Sequence, residues 1–325
     1  MLDSSFSNVS FNNLPVFTVL KQGYVYLKNI DIQNVSDTDN PIISFQFNVH
    51  KITIENLTIS NITGVSIISG DVILFENSAE TITVIDQMYA SNIDLYGRAL
   101  VSSDSNLDQL EINNSVINDI NITSSDHIIE SGQIKSLLFN NITVSNVKLN
   151  DNINADGAIL YVSTLDLDSE LDSVIQNIVI DNSQISFLSF GSLINESPIS
   201  KSISLTNVSL TNAYYESNRA LMSTDGFERN TDIHMIMSDL SFSNISFSHN
   251  GRLIEFKHQL PTYLAITNSY FNNLNAAVLS VESSNLQNTD LKTLVQINNT
   301  VFNSINDQSN SFINVNEGGW LEVNN

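Results

Sequence analysis

The sequence predicts an all-β fold, a single-domain parallel β-helix solenoid of about eleven coils with three short strands in each coil. Three observations lead to this prediction. A two-strand pattern centred on asparagine recurs along the whole chain, a third strand follows many of its copies, and no 3.6-residue periodicity appears between them.

The repeated pattern alternates apolar residues, slips by one position at an asparagine, and then alternates again. In "ITIENLTISN", Ile52 and Ile54 precede Asn56, and Leu57 and Ile59 follow it. Alternation with period two indicates a strand with one buried face, and a slip of one residue would turn the next strand outward. The chain must therefore bend at the slip, where asparagine tolerates left-handed backbone angles best among residues other than glycine. These key asparagines recur at intervals of 21 to 37 residues, at Asn8, Asn29, Asn56, Asn92, Asn114, Asn141, Asn177, Asn207, Asn244, Asn268 and Asn299.

A third short strand follows many of the strand pairs, as in "DGAILYVS" from residue 156 and "NAAVLSV" from residue 275. Intervals this short leave no room for a crossover helix, so each interval reads as one coil, with neighbouring coils about 4.8 Å apart. Like residues then stack on like residues. We expect the key asparagines to form hydrogen-bonded ladders at the corners, with their side chains facing inward.

Composition limits the classes of partner. The chain has 325 residues, no cysteine, 42% hydrophobic residues and a formal net charge of −23. So acidic a chain does not suit nucleic acid, and we expect no membrane insertion because no apolar run approaches a membrane-spanning length. Residues 1–20 do not read as a signal peptide. No linker divides the chain, so residues 1–325 read as one domain.

The repeat resembles the right-handed parallel β-helix, or pectin-lyase-like, superfamily. Stretches such as "FNNITVSN" and "LTNVSLTN" carry this resemblance, which covers essentially the whole chain and identifies no particular family. The superfamily contains polysaccharide lyases and hydrolases, phage tailspikes, adhesins and fibre proteins. Of the motifs used by its pectin hydrolases, Asn-Thr-Asp occurs at 230–232 and 288–290, whereas no adjacent Asp pair, Gly-His-Gly or Arg-Ile-Lys is present. We therefore name no catalytic residue and do not expect an enzyme.

Two kinds of site are candidates. Asp166, Asp168 and Glu170 alternate in "LDLDSELD", which could offer hard oxygen ligands to a structural calcium ion, although the favoured interpretation is a solvated acidic strand edge; no other cofactor is expected. N-glycosylation sequons are numerous, and those at the corners should be inaccessible if the corners face inward. The expected acceptors are Asn113, Asn121, Asn195 and Asn298.

The function expected first is that of a structural protein outside the cell or on its surface, such as a fibre, coat or adhesin segment. Neither end of the chain resembles a capping repeat, which predicts either a segment of a longer β-helix or head-to-tail self-association into filaments. N-glycosylation is a further expectation, and glycans are a further candidate partner. The alternative is a carbohydrate-binding or polysaccharide-cleaving β-helix, which aromatic residues stacked along one outer face would favour.

Overall fold

The computed structural model describes residues 2–7, 17–19, 23–38, 42–45, 49–64, 68–69, 81–95, 99–103, 107–122, 127–149, 157–165, 171–190, 200–215, 220–225, 232–247, 251–257, 263–282, 293–306, 313–315 and 319–324. The elements in these residues are strands, joined by parallel pairing into a solenoid, so the prediction of an all-β parallel β-helix is confirmed. The strands are β1 (Leu2–Ser7), β2 (Phe17–Val19), β3 (Gly23–Thr38), β4 (Ile43–Phe45), β5 (Val49–Gly64), β6 (Ile68–Ser69), β7 (Ile82–Leu95), β8 (Val101–Ser103), β9 (Leu107–Ile122), β10 (Ile129–Leu149), β11 (Ala158–Leu165), β12 (Leu171–Ser183), β13 (Ser186–Phe190), β14 (Ser200–Tyr215), β15 (Ala220–Asp225), β16 (Asp232–Ser238), β17 (Ser241–Phe247), β18 (Arg252–Lys257), β19 (Tyr263–Thr267), β20 (Tyr270–Asn275), β21 (Ala277–Glu282), β22 (Thr293–Asn298), β23 (Val301–Ile305), β24 (Ile313–Val315) and β25 (Gly319–Asn324).

Each coil lays its strands directly on those of the coil before it. From β3 onward, the strand that precedes the first bend of a coil pairs in the series β3, β5, β7, β9, β10, β12, β14, β16, β19, β22 and β25. The outward side of this series is called the first face. The outward side of the strand segments that follow the first bend is called the second face. The outward side of β11, β13, β15, β18, β21 and β24 is the third face.

The core is a continuous column of aliphatic and aromatic side chains inside the coils. Phe139, Ile142 and Val144 of β10 are almost completely buried, and the outward residues between them are not. The same alternation on the coils from β3 to β22 explains why these residues form strands. Apolar positions of neighbouring coils coincide in register, so the solenoid buries one uninterrupted apolar interior.

The described key asparagines adopt left-handed backbone angles, with φ between 48° and 56°. Their side chains are nevertheless solvent-exposed, so the predicted inward orientation is wrong. At a left-handed residue the flanking aliphatic side chains both turn into the core, and the amide stays outside. There the amide donates a hydrogen bond to the preceding coil: Asn56 donates to Asn29 at 2.7 Å, and Asn141 donates to Asn114 at 2.7 Å. Asn8 lies outside the described residues.

Register also corrects the placement of two key asparagines. From β3 to β23 each coil has two left-handed bends about five residues apart, and strand pairing aligns Asn92 and Asn244 with the second bend of neighbouring coils. The first bends of those coils are at Gln87 and Asp239. Asparagine alone marked the bend in the sequence, so a coil whose first bend uses another residue was read five positions late.

Candidate functional site

An outward column of largely aromatic residues crosses the last coils of the first face. Strand pairing places His234 of β16 beside Tyr263 of β19, Tyr263 beside Leu294 of β22, and Leu294 beside Trp320 of β25. His234, Tyr263 and Leu294 each lie five positions before the first bend of their coil. Trp320 pairs with Leu294 and so occupies the same position on the last coil. We call these four residues the aromatic column.

Two rings of the aromatic column are in contact, and the column is partly open to solvent. The rings of His234 and Tyr263 lie 5.7 Å apart between centroids, tilted by 53°. The indole of Trp320 is 60% exposed, and His234 is exposed as well. A surface with this composition has apolar ring faces together with polar edges.

Polar side chains flank the aromatic column two positions further along the same strands. The Tyr263 hydroxyl donates a hydrogen bond to Oε1 of Gln296 at 2.8 Å, and Nε2 of Gln296 donates to Oε2 of Glu322 at 2.8 Å. This chain links three successive coils and fixes the orientation of the amide and of the phenol. The aromatic column therefore has ordered hydrogen-bonding groups along one side.

The sequence did not reveal this column. Five other tyrosines do not extend this column: Tyr24, Tyr26, Tyr214, Tyr215 and Tyr270. Of these, Tyr215 is buried, Tyr24 and Tyr26 lie on the first face of β3 several coils before β16, and Tyr214 and Tyr270 lie beyond the first bend of their coils. The signal that could have found the column is the distance of five residues to the first bend, which was hidden because Asn244 was taken for the bend in place of Asp239.

A second polar cluster lies on the first face near the beginning of the chain. Oε2 of Glu55 accepts a hydrogen bond from the Tyr26 hydroxyl at 2.5 Å and forms an ion pair with Nζ of Lys28 at 2.9 Å. The hydrogen bond from Tyr26, followed by the one from Lys28, lowers the pKa of Glu55, and the bonds to Glu55 raise the pKa of both partners. Asp86 is the register partner of Glu55 on the next coil, and its Oδ1 accepts from Nδ2 of Asn114 at 2.7 Å.

The predicted calcium ligands Asp166, Asp168 and Glu170 lie outside the described residues. Within the described ranges, no group of three or more His, Cys, Asp or Glu side chains is arranged to hold a metal ion. Calcium binding therefore stays a prediction.

The predicted glycan acceptors differ in their surroundings. Asn113, Asn121 and Asn298 are half-buried; Nδ2 of Asn121 donates to Asp94 at 2.7 Å. Asn195 lies outside the described residues. Since the corner asparagines are exposed, the argument that excluded them as acceptors no longer holds. The four acceptors stay predictions.

No known protein family and no curated protein matches this chain. Two solved structures are similar: the catalytic domain of a GH87 α-1,3-glucanase in complex with nigerose, at 11% identity and a TM-score of 0.34, and a point variant of that domain with the same ligand, at 13% and 0.33. Each alignment covers 98% of this chain and 63% of the other, so the chain spans less than two thirds of their length. The parallel β-helix that the resemblance implies is confirmed by the strand pairing of this chain.

Two expectations are corrected by this finding. A structural fibre, coat or adhesin segment was the function expected first, and an enzyme was not expected, but the similar solved structures are catalytic domains of enzymes. The activity and ligand in their descriptions belong to those proteins. For the described part of the chain, no helix is long and apolar enough to cross a lipid bilayer.

Proposed function

We propose that this protein binds a polysaccharide on its first face and that the aromatic column is the platform. The observation that carries the proposal is the alignment of His234, Tyr263 and Trp320 in one outward column. A pyranose ring has an apolar face of C–H groups and a rim of hydroxyls. Exposed aromatic rings with polar groups beside them complement both parts.

The hydrogen-bonded chain from Tyr263 through Gln296 to Glu322 supports the same proposal. These groups are held in place before any ligand binds, which reduces the entropy lost on binding. The remaining lone pairs of the Glu322 carboxylate can accept hydrogen bonds from sugar hydroxyls. The ring faces would supply contact area, and the hydrogen-bonded groups of Tyr263, Gln296 and Glu322 would orient the sugar.

Affinity electrophoresis on gels that contain a panel of soluble polysaccharides tests the proposal. Trp320→Ala removes a largely exposed ring of the column and should weaken binding about tenfold, which corresponds to about 1.4 kcal/mol. Tyr270→Ala is the matched control, because Tyr270 is an exposed aromatic residue (42%) on the second face. Equal retardation of the wild type and of Trp320→Ala by every retained polysaccharide would contradict the proposal.

A second candidate is cleavage of the polysaccharide at Glu55. Its lowered pKa keeps Glu55 ionised, and Asp86 lies on the adjacent strand, about 4.8 Å away at the backbone. Glycosidases that retain anomeric configuration use two carboxyl groups about 5 Å apart, one of them an ionised nucleophile. Glu55 is proposed as the nucleophile, and Asp86 is the carboxylate beside it on the adjacent strand.

Release of reducing ends from the polysaccharide panel tests cleavage separately from binding. Glu55→Gln should abolish release, whereas Asp31→Asn, on the second face of a neighbouring coil, should leave it unchanged. Release that persists in Glu55→Gln would exclude this residue as the nucleophile.

We further infer that the coils number about eleven and that the protein acts outside the cell or at its surface. Continuous register from β3 to β25 and the exposed asparagine bonds between coils support the first inference. Polysaccharide binding itself supports the second.

A further inference from the structure

The first face also constrains which polysaccharide fits. We propose that the ligand is an extended, uncharged, β-1,4-linked chain that lies parallel to the solenoid axis, with one sugar on each of four coils. This inference rests on the proposed binding function and specifies the ligand class and its orientation at the same site.

The direction follows from the register. His234, Tyr263, Leu294 and Trp320 occupy four successive coils, and neighbouring coils are about 4.8 Å apart. This spacing is close to the advance of one residue in an extended β-1,4-linked pyranose chain. A ligand along the axis would therefore place one ring face against each member of the column.

A ligand across the coils would find no comparable surface. Along β16 the next outward residues after His234 are Ile236 and Ser238, and along β25 those after Trp320 are Glu322 and Asn324. Neither strand offers a second aromatic ring. Contacts with successive sugars are thus available in the axial direction only, within the described residues of these strands.

The column also has a defined beginning. The position before His234 in the same column is Ser202 of β14, and the position before that is Asp172 of β12. A small hydroxyl group and an exposed carboxylate offer no apolar face to a pyranose ring. Four consecutive coils are therefore the length of platform that the described residues provide.

Charge selects among extended polymers. The chain carries 35 acidic and 12 basic residues, and Glu322 adjoins the column. A polymer of uronic acids would be repelled at long range and would bring carboxylates close to Glu322. A neutral polymer avoids both costs, and its hydroxyls can donate to that carboxylate.

Shape selects in the same way. An α-1,4-linked chain curls, so its rings leave a straight row of side chains after about two sugars. A β-1,4-linked chain stays flat and presents a C–H face at every residue. The straight column thus favours the flat polymer.

Isothermal titration calorimetry with cello-oligosaccharides of increasing length tests ligand class and orientation together. Affinity should rise severalfold with each added glucose up to four units and then level off. Malto-oligosaccharides should level off at two units, and oligogalacturonates should bind more weakly at low ionic strength than at high. Trp320→Ala should move the plateau from four units to three, and Tyr270→Ala should leave it at four.

Other outcomes separate the two proposals. A plateau at two glucose units, equal binding of the malto series, or preferred binding of oligogalacturonates would overturn the axial, uncharged ligand while leaving carbohydrate binding intact. Absence of binding to every oligosaccharide and polysaccharide would overturn the proposed function itself. Circular dichroism of each variant shows that a lost interaction does not come from misfolding.

Discussion

Removing the positive charge of Arg252 should destabilise the protein far more than removing that of an exposed lysine. Arg252 and Glu255 form an ion pair across three residues of β18. The Glu255 side chain is 1% exposed and that of Arg252 is 32% exposed. Arg252→Met would keep most of the aliphatic volume but would leave the Glu255 carboxylate in the interior without this counter-charge.

The burial of Glu255 determines how much free energy of unfolding Arg252→Met should lose. Ser223 and Ser280 flank it on the neighbouring strands, and Met222 and Met235 line the same small pocket. Removing one partner of a buried ion pair typically costs about 3–5 kcal/mol, because the remaining charge stays desolvated. We expect Arg252→Met to lower the free energy of unfolding by about this amount. The double variant that also carries Glu255→Gln should recover part of the loss, since no charge then remains buried.

Urea denaturation followed by far-ultraviolet circular dichroism measures these differences. The matched control is Lys135→Met, which breaks the ion pair between Lys135 and Asp108, where the side chains are 45% and 20% exposed and the charged atoms 2.7 Å apart. An exposed pair of this kind contributes about 0–1 kcal/mol. If Arg252→Met costs no more than Lys135→Met, the assignment of a buried, charge-compensated Glu255 is refuted.

Three further predictions concern the core, the bends and the charged cluster. Phe271→Ala should cost about 3–5 kcal/mol in thermal unfolding, because Phe271 is fully buried and packs edge-on against Phe242 at 5.5 Å; a loss below about 1 kcal/mol would contradict the packing. Asn141→Ala should cost about 1–2 kcal/mol more than Asn141→Gly in urea unfolding, because φ is 55° there, and the reverse order would argue against a left-handed bend. Glu55 has a lowered pKa when folded, so its contribution to stability is present above the unfolded-state pKa and is lost as the pH falls through the folded one. A carboxyl titration by NMR should show that Tyr26→Phe moves this pKa back toward its usual range, and an unchanged pKa would rule out the hydroxyl as its main cause.

The fold could be predicted because its signal is local and repeated. In the stretch from Leu137 to Val144, alternation fixes which side chains are buried, and the slip at Asn141 fixes the bend. Both depend on residues within a few positions of each other. The orientation of the asparagine side chain could not be predicted in this way, because it depends on how the flanking aliphatic residues share the interior.

The aromatic column is a different kind of feature, because it exists only in the register between coils. Tyr263 follows His234 by 29 residues, and Leu294 and Trp320 follow at steps of 31 and 26. The connecting segments vary in length, so no fixed period brings these residues together. Register could have been read from the bends alone if Asp239 had been recognised as the first bend of its coil.

The uniform interior implies that any binding specificity of this solenoid lies in its outer columns. The coils from β3 to β22 bury the same kinds of aliphatic and aromatic residue, so the interior does not distinguish one of these coils from another. Outward positions do not have to fill the apolar interior. In the column that contains Tyr263, the residue changes from Ser202 to the aromatic His234 between two successive coils. Substitutions there alter the binding surface while leaving the stacking of coils intact. A substitution at an exposed position, such as Trp320→Ala, should therefore weaken ligand binding with little change in the free energy of unfolding. Phe271→Ala should lower the free energy of unfolding with little change in ligand affinity.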